Sequence, residues 1–143
     1  MSNWKESFLG KLHEAQSECA KQFEDTLDRV VAPVFEEMSS FLGDNGFKIS
    51  TPLSESGRRS FKFELAENAY LLMIFRFSGI AEFELRDEVF APGTEPMLEK
   101  SVGRLADIDK EWATSQFQAG LDHFVDLLVG RKAEEPSAEL VEV

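Results

Sequence analysis

The 143-residue sequence contains a single cysteine, Cys19, so no disulfide can form within the chain. Small secreted domains usually carry paired cysteines, and a reducing compartment is therefore the simpler interpretation. The first residues lack the basic-then-apolar pattern of a signal peptide. The longest apolar run, from Ala69 to Phe75, has seven residues, whereas about 20 are needed to cross a bilayer. We therefore expect a cytoplasmic protein without a membrane partner.

Positive charge is also scarce, because 15 Lys and Arg residues stand against 27 Asp and Glu residues. The formal net charge is −12 and the pI is near 4.6. Binding to duplex nucleic acid requires Lys and Arg side chains that displace counterions from phosphates, and anionic lipid attracts basic segments in the same way. We therefore expect no nucleic-acid partner. The region 44–91 holds six of the 15 basic residues and is the least acidic part of the chain.

Side chains that usually carry catalysis are few. The two histidines are His13 and His123, and no phosphate-binding loop, Gly-x-Ser-x-Gly or Cys-x-x-Cys pattern is present. His123 and Asp126 have a spacing that can share a metal, but a metal site needs three or four ligands. Cys19 belongs to the apolar stripe of a predicted helix, where a free cysteine acts as a small hydrophobic residue. We therefore expect a non-catalytic protein with no metal and no cofactor.

Apolar residues recur every three or four positions through the first 42 residues, which predicts a long helix. Gly43 and the following Asp44–Asn45–Gly46 predict its end, and Pro33 predicts a kink. A helix over residues 4–42 would be about 58 Å long, whereas a domain of this size has a radius of gyration of about 14–15 Å. The helix therefore either breaks, for which Pro33 offers a position, or projects from the domain and packs on a partner. Even a first piece over residues 4–31 would be about 40 Å long, which is long for this domain. The stripe consists of Trp4, Phe8, Leu12, Ala15, Cys19, Phe23, Leu27, Val30, Val34, Met38 and Phe41.

The sequence pattern predicts a sheet in the middle of the chain and a helix in its last part. Alternating or continuous apolar residues over 47–50, 61–65, 70–77 and 81–86 predict an antiparallel meander of four to five strands. Residues 98–105 are ambiguous and could form an edge strand. A second helix is predicted from Asp109 to Gly130. The fold class is therefore α+β, with a single domain over 1–132 and a loosely ordered acidic tail over 133–143.

Two-residue turns at Glu67–Asn68 and Ser78–Gly79 predict the strand register. They pair Leu65 with Tyr70 and Phe77 with Ile80, and both pairings place apolar residues on one common face. The opposite face of the central strand then carries an apolar stripe with a charged rim, which is typical of a binding patch. Alternatively, a helix of the same chain covers this stripe. The stripe consists of Leu71, Met73, Phe75 and Phe77.

In this register Arg59 lies opposite Arg76, and two like charges at such positions need a counter-charge. One interpretation is that a helix carboxylate pairs with them, such as Glu36, Glu37, Asp122 or Asp126. The other is an anion site for a carboxylate or a phosphate, in a pocket that also contains Tyr70.

Three hypotheses about function follow. The first is a homodimeric protein-interaction module that uses the apolar sheet face, the long helix, or both. The second is a protein or enzyme that binds a small anionic ligand near Arg59, Arg76 and Tyr70. The third is an acidic inhibitor of the immunity-protein type, which blocks a basic partner. For the first hypothesis, the expected interface residues are Leu71, Met73, Phe75 and Phe77 of the sheet and Phe8, Leu12 and Phe23 of the helix.

Overall fold

A long helical segment with a π-helical turn in its middle occupies the first part of the chain. In the computed structural model, which describes residues 2–130, helix α1 spans Ser2–Thr26, the π-helical turn spans Leu27–Val31 and helix α2 spans Ala32–Gly43. The irregularity predicted near Pro33 is thus confirmed. Proline lacks the N–H that an α-helix needs, and its ring collides with the carbonyl four residues earlier. A wider π-helical turn accommodates this defect without ending the helix.

Six antiparallel strands follow. They are β1 (Lys48–Ser50), β2 (Ser54–Glu55), β3 (Arg58–Ala66), β4 (Ala69–Phe77), β5 (Glu82–Phe90) and β6 (Met97–Arg104). The sheet order is β1-β3-β4-β5-β6, and the short β2 pairs with the start of β3. A 3-10 turn over Leu105–Asp107 leads to helix α3 (Lys110–Leu128). The α+β fold with a long first helix, a meander and a last helix is therefore confirmed, with the ambiguous region as edge strand β6.

Helix α3 begins and ends where the sequence signals indicate. The Asp109 carboxylate accepts a hydrogen bond of 2.8 Å from the Trp112 backbone N–H, which caps the first turn. Gly130 follows the last turn with φ of +75°, a backbone conformation that glycine adopts without a steric penalty. The tail predicted over 133–143 lies outside the described residues.

The core lies between one face of the sheet and the helices. Phe35 of α2 contacts Phe61 of β3 and Phe117 of α3, with ring centroids 4.5 and 6.1 Å apart. From β4, the same core receives the fully buried Leu71 and Met73. The other face of the sheet has no helix on it within residues 2–130, as is common for an antiparallel sheet.

The predicted register of the first hairpin is wrong by one residue. The turn at Glu67–Asn68 is present, but the strands shift at Leu65, so Glu64 pairs with Tyr70. A β-bulge adds one residue to one strand of a pair, and no turn signal reveals it.

The second hairpin differs from its prediction by three positions. Phe77 pairs with Phe83 instead of Ile80, because the connection is longer than two residues and closes with a bond of 3.2 Å from Ser78 N–H to the Glu82 carbonyl. Both errors are odd numbers, and an odd shift exchanges the two faces of a strand. Both wrong pairings therefore placed the same residues of β4 on the face shared with β3 and β5. In the structure the other residues of β4 lie on that face.

Candidate functional site

The first half of α1 projects from the domain without packing on it. Every side chain from residue 3 to residue 11 is exposed, and the first fully buried side chain of the helix is Phe23. Trp4 is 68% exposed and Phe8 is 47% exposed. Their rings stack on each other at 5.4 Å, with an angle of 15° between the planes. Large aromatic side chains of this kind usually contribute to a core or an interface.

These aromatic residues belong to one continuous apolar stripe. Trp4, Phe8, Leu12, Ala15 and Cys19 follow each other at spacings of three or four residues and therefore share one side of the helix. Leu12 and Cys19 are half-buried, and Ala15 is exposed. The predicted interface residues Phe8 and Leu12 thus lie on this projecting stripe, whereas Phe23 lies in the core at its base.

The four predicted interface residues of the central strand lie inside the chain's own core instead of on an open face. Leu71, Met73 and Phe75 are 0% exposed. Phe77 is half-buried, and its ring lies 5.7 Å from that of Phe23. This corrects the prediction that these residues form an open apolar face, because the exchanged faces of β4 turn them toward the helices.

Arg59 and Arg76 do not share a site, contrary to the sequence prediction. Arg59 points to the helices and lies opposite Phe75, whereas Arg76 lies on the open face opposite Arg58. The one-residue bulge explains this difference.

Arg59 ties the sheet to the first helical segment. Its guanidinium donates to Asp28 Oδ1 at 2.8 Å and to Glu24 Oε1 at 3.1 Å. Glu24 also accepts a bond of 2.7 Å from the Gly57 backbone N–H. Arg59 thus pairs with helix carboxylates, as one of the two interpretations predicted. The carboxylates are those of Glu24 and Asp28 instead of Glu36, Glu37, Asp122 or Asp126.

Arg76 lies in a concavity of about 300 Å³ on the open face of the sheet. Arg58, Arg86 and Lys100 line the same concavity, together with the carboxylate of Glu84. The open face therefore concentrates positive charge in a protein whose net charge is −12.

Tyr70, which was predicted to join this site, lies elsewhere on the open face. It is six residues from Arg76 along β4, or about 20 Å at 3.3 Å per residue. Its ring stacks on Phe90 at 4.6 Å, and Lys62 Nζ lies 4.3 Å from the ring centroid.

A buried carboxylate on β5 was not among the residues predicted from the sequence. Asp87 lies on the core side, opposite Glu99 of β6, and its Oδ1 is buried without a hydrogen-bond partner within residues 2–130. Burial, and then the charge of Glu99, raise the pKa of Asp87 to about 7, although His123 acts in the opposite direction. The alternation of Phe83, Leu85 and Asp87 along the strand was the signal that could have placed this carboxylate on the apolar face.

The raised pKa has a defined consequence for stability. Because the folded state disfavours ionised Asp87 relative to the unfolded state, folding is weakened whenever the solution would ionise this carboxyl. The penalty is absent below the unfolded-state pKa near 4, grows as the pH rises, and is complete above about pH 7.

A second concavity, which is mainly apolar and has a volume of about 680 Å³, lies between α2 and α3. Its lining includes Phe41, which is 65% exposed, and Val125, which is 46% exposed. Met38 and Leu121 form its floor beside the core.

Within residues 2–130, no three His, Cys, Asp or Glu side chains come together in a way that could hold a metal ion. No helix in that range is long and apolar enough to cross a membrane. Comparisons with protein families, with curated proteins and with solved structures find no match to this chain. The proposals about function therefore depend on the geometry of the chain itself.

Proposed function

We propose that this protein is a non-catalytic interaction module that forms a homodimer through the projecting half of α1. The observation that carries the proposal is the apolar stripe of Trp4, Phe8, Leu12, Ala15 and Cys19. Trp4, Phe8 and Ala15 are exposed and Leu12 is half-buried, while Cys19 at the base of the stripe packs against the core of its own domain. A contiguous apolar surface with charged neighbours is typical of a protein interface. The single free thiol of Cys19 fits a reducing location, and we propose the cytoplasm.

The two exposed rings alone supply a substantial driving force. With accessible areas of about 250 Å² for Trp and about 200 Å² for Phe, the exposed fractions of Trp4 and Phe8 amount to about 260 Å² per copy. At about 25 cal/mol per Å², two copies gain at most about 13 kcal/mol from their burial. Association costs about 4–15 kcal/mol. With a cost at the lower end of this range, the net gain of at most about 9 kcal/mol corresponds to a reversible dimer with a Kd in the micromolar range.

The distribution of large and small residues favours an antiparallel pairing of the two helices. The stripe has large side chains at the tip (Trp4, Phe8 and Leu12) and small ones toward the domain (Ala15 and Cys19). An antiparallel pair centred between residues 13 and 14 places Leu12 against Ala15 and Phe8 against Cys19. Large residues then meet small ones in these two layers, which keeps the two helices at a constant spacing there. Trp4 comes opposite position 23 of the other copy, where Phe23 is buried in the core of that copy. A parallel pair would stack large on large and small on small.

Charge supports the same direction. Residues 3–12 contain two lysines and one glutamate, whereas residues 13–25 contain one lysine and four acidic residues. Lys11 and Glu18 are seven residues apart and therefore lie on the same flank of the stripe. An antiparallel pair brings Lys11 of each copy close to Glu18 of the other. A parallel pair would place the flanks that carry Lys11 and Glu18 on opposite sides of the dimer, so these contacts between copies would not form.

Light scattering coupled to size-exclusion chromatography tests this proposal. The chain has a mass of 16.1 kDa, and we expect the measured mass to rise to twice this value as the protein concentration increases. A monomer mass at every concentration up to about 1 mM, far above the expected Kd, would rule out the proposed dimer.

A further inference from the structure

We propose that the open face of the sheet binds a small phosphate monoester in the concavity lined by Arg58, Arg76, Arg86 and Lys100. This concavity has a volume of about 300 Å³, which lies at the lower end of the range for small-molecule sites. It lies on the face opposite the helices and is separate from the apolar stripe of α1.

The strand register brings the four basic residues together as two like-charge pairs. Arg58 lies directly opposite Arg76, and Arg86 lies directly opposite Lys100. Like charges at such cross-strand positions are destabilising. Elsewhere on this face the basic residues at the sheet edges lie opposite acids, since Lys48 is paired with Glu64 and Arg104 with Glu82. At the concavity Arg58 and Arg76 also have an acid on their other side, since Arg58 lies opposite Glu55 and Arg76 opposite Glu84. Arg86 and Lys100 have no acid directly opposite them within residues 2–130.

The carboxylates nearby neutralise the basic residues only in part. Each of the three arginines has one carboxylate at 3.4 Å, and in each of these ion pairs the arginine side chain is about half exposed to solvent. A guanidinium has five N–H donors, so each arginine keeps donors for a ligand. Lys100 makes no ion pair with any residue of the range 2–130. Glu84 is the acidic residue that lines the concavity itself. With Glu55 and Glu88 counted as partners of Arg58 and Arg86, the four basic residues exceed the carboxylates by one.

The chemistry of the lining defines the class of ligand. The planar fork of arginine matches the oxygen atoms of phosphate and can bind two of them at once. Four cations against the three carboxylates that contact them, Glu55, Glu84 and Glu88, leave a positive charge that attracts an anionic group such as a phosphate monoester. Leu53 and Ile74 also line the concavity and offer an apolar contact for the organic part of the ester. The net charge of −12 repels long polyanions such as nucleic acid, so a small ester is favoured.

Isothermal titration of the full chain with phenyl phosphate tests this inference directly. Calorimetry is preferable to a melting shift, because phosphate also stabilises folded proteins by exclusion from their surface. We expect saturable binding of phenyl phosphate with a Kd below about 1 mM. Inorganic phosphate should bind more weakly, because it cannot contact Leu53 and Ile74.

The variants Arg76→Leu and Arg86→Gln should each weaken binding at least about tenfold, because each removes charged hydrogen bonds. Arg104→Gln is the matched control, since it removes a basic residue from the same face outside the concavity and should change the Kd less than about twofold. Circular dichroism establishes that each variant is folded. Absence of saturable binding to the wild-type chain, or an equal loss in Arg104→Gln, would overturn the inference. Inorganic phosphate that binds as tightly as phenyl phosphate would overturn the assignment to an ester.

Discussion

Phe8→Glu should separate the two copies of the protein without destabilising the domain. The Phe8 ring is 47% exposed, which corresponds to about 95 Å² per copy and about 190 Å² in a dimer. At about 25 cal/mol per Å², the lost burial is worth about 5 kcal/mol. Since about 1.4 kcal/mol changes a Kd tenfold, the dimer should dissociate about a thousandfold more readily. The introduced carboxylate would also lie against an apolar partner surface, which adds to the loss.

Sedimentation velocity over a range of concentrations measures this change. Ser17→Glu is the matched control, because Ser17 is exposed, lies 180° around the helix from Phe8 and introduces the same charge. We expect Ser17→Glu to dimerise like the wild type, while Phe8→Glu remains monomeric.

The melting temperature of Phe8→Glu should equal that of the wild-type monomer at low concentration, because Phe8 packs on no core residue. Normal dimerisation of Phe8→Glu, or dissociation of both variants, would contradict the proposed interface around Phe8. A lower melting temperature of the monomer would show instead that Phe8 supports the domain.

Three further predictions concern the domain and the direction of pairing. Asp87→Asn should raise the free energy of unfolding by at most about 4 kcal/mol at pH 8 and by less than about 1 kcal/mol near pH 4, as measured by urea denaturation at both pH values. A gain independent of pH would contradict the raised pKa. Arg59→Ala should lower the free energy of unfolding by about 1–3 kcal/mol. Arg58→Ala, which removes the exposed neighbouring arginine, should lower it by less than about 0.5 kcal/mol. Equal urea midpoints for the two variants would contradict the role of the helix carboxylates. Lys11→Glu should weaken the dimer about three- to tenfold by sedimentation, and Lys11→Glu with Glu18→Lys should restore it, because the pairs are intermolecular.

The helices could be predicted because their signals are local. The stripe that begins at Trp4, the stop at Gly43 and the cap at Asp109 all depend on residues within one or two turns of each other. The length of the first helix predicted either a break or a projection from the domain, and the exposed rings of Trp4 and Phe8 agree with the projection. The interface residues Phe8 and Leu12 are therefore still candidates.

The register and the charged sites could not be predicted because they depend on long-range geometry. The bulge at Leu65 leaves no mark in the turn sequence, yet it decides which face Leu71 and Arg76 occupy. Arg59 meets Glu24 across 35 positions in the chain, and no periodicity connects two such residues. The basic concavity around Arg76 likewise requires the true register.

The direction of helix pairing is the central claim, and one distance tests it. A spin label on Asn3→Cys in a Cys19→Ser background reports the separation of the two helix tips by double electron–electron resonance. An antiparallel pair centred between residues 13 and 14 predicts tips about 30–40 Å apart, at 1.5 Å of rise per residue. A separation below about 20 Å would show a parallel pair, and the absence of any coupling between labels at high protein concentration would show that the helices do not pair.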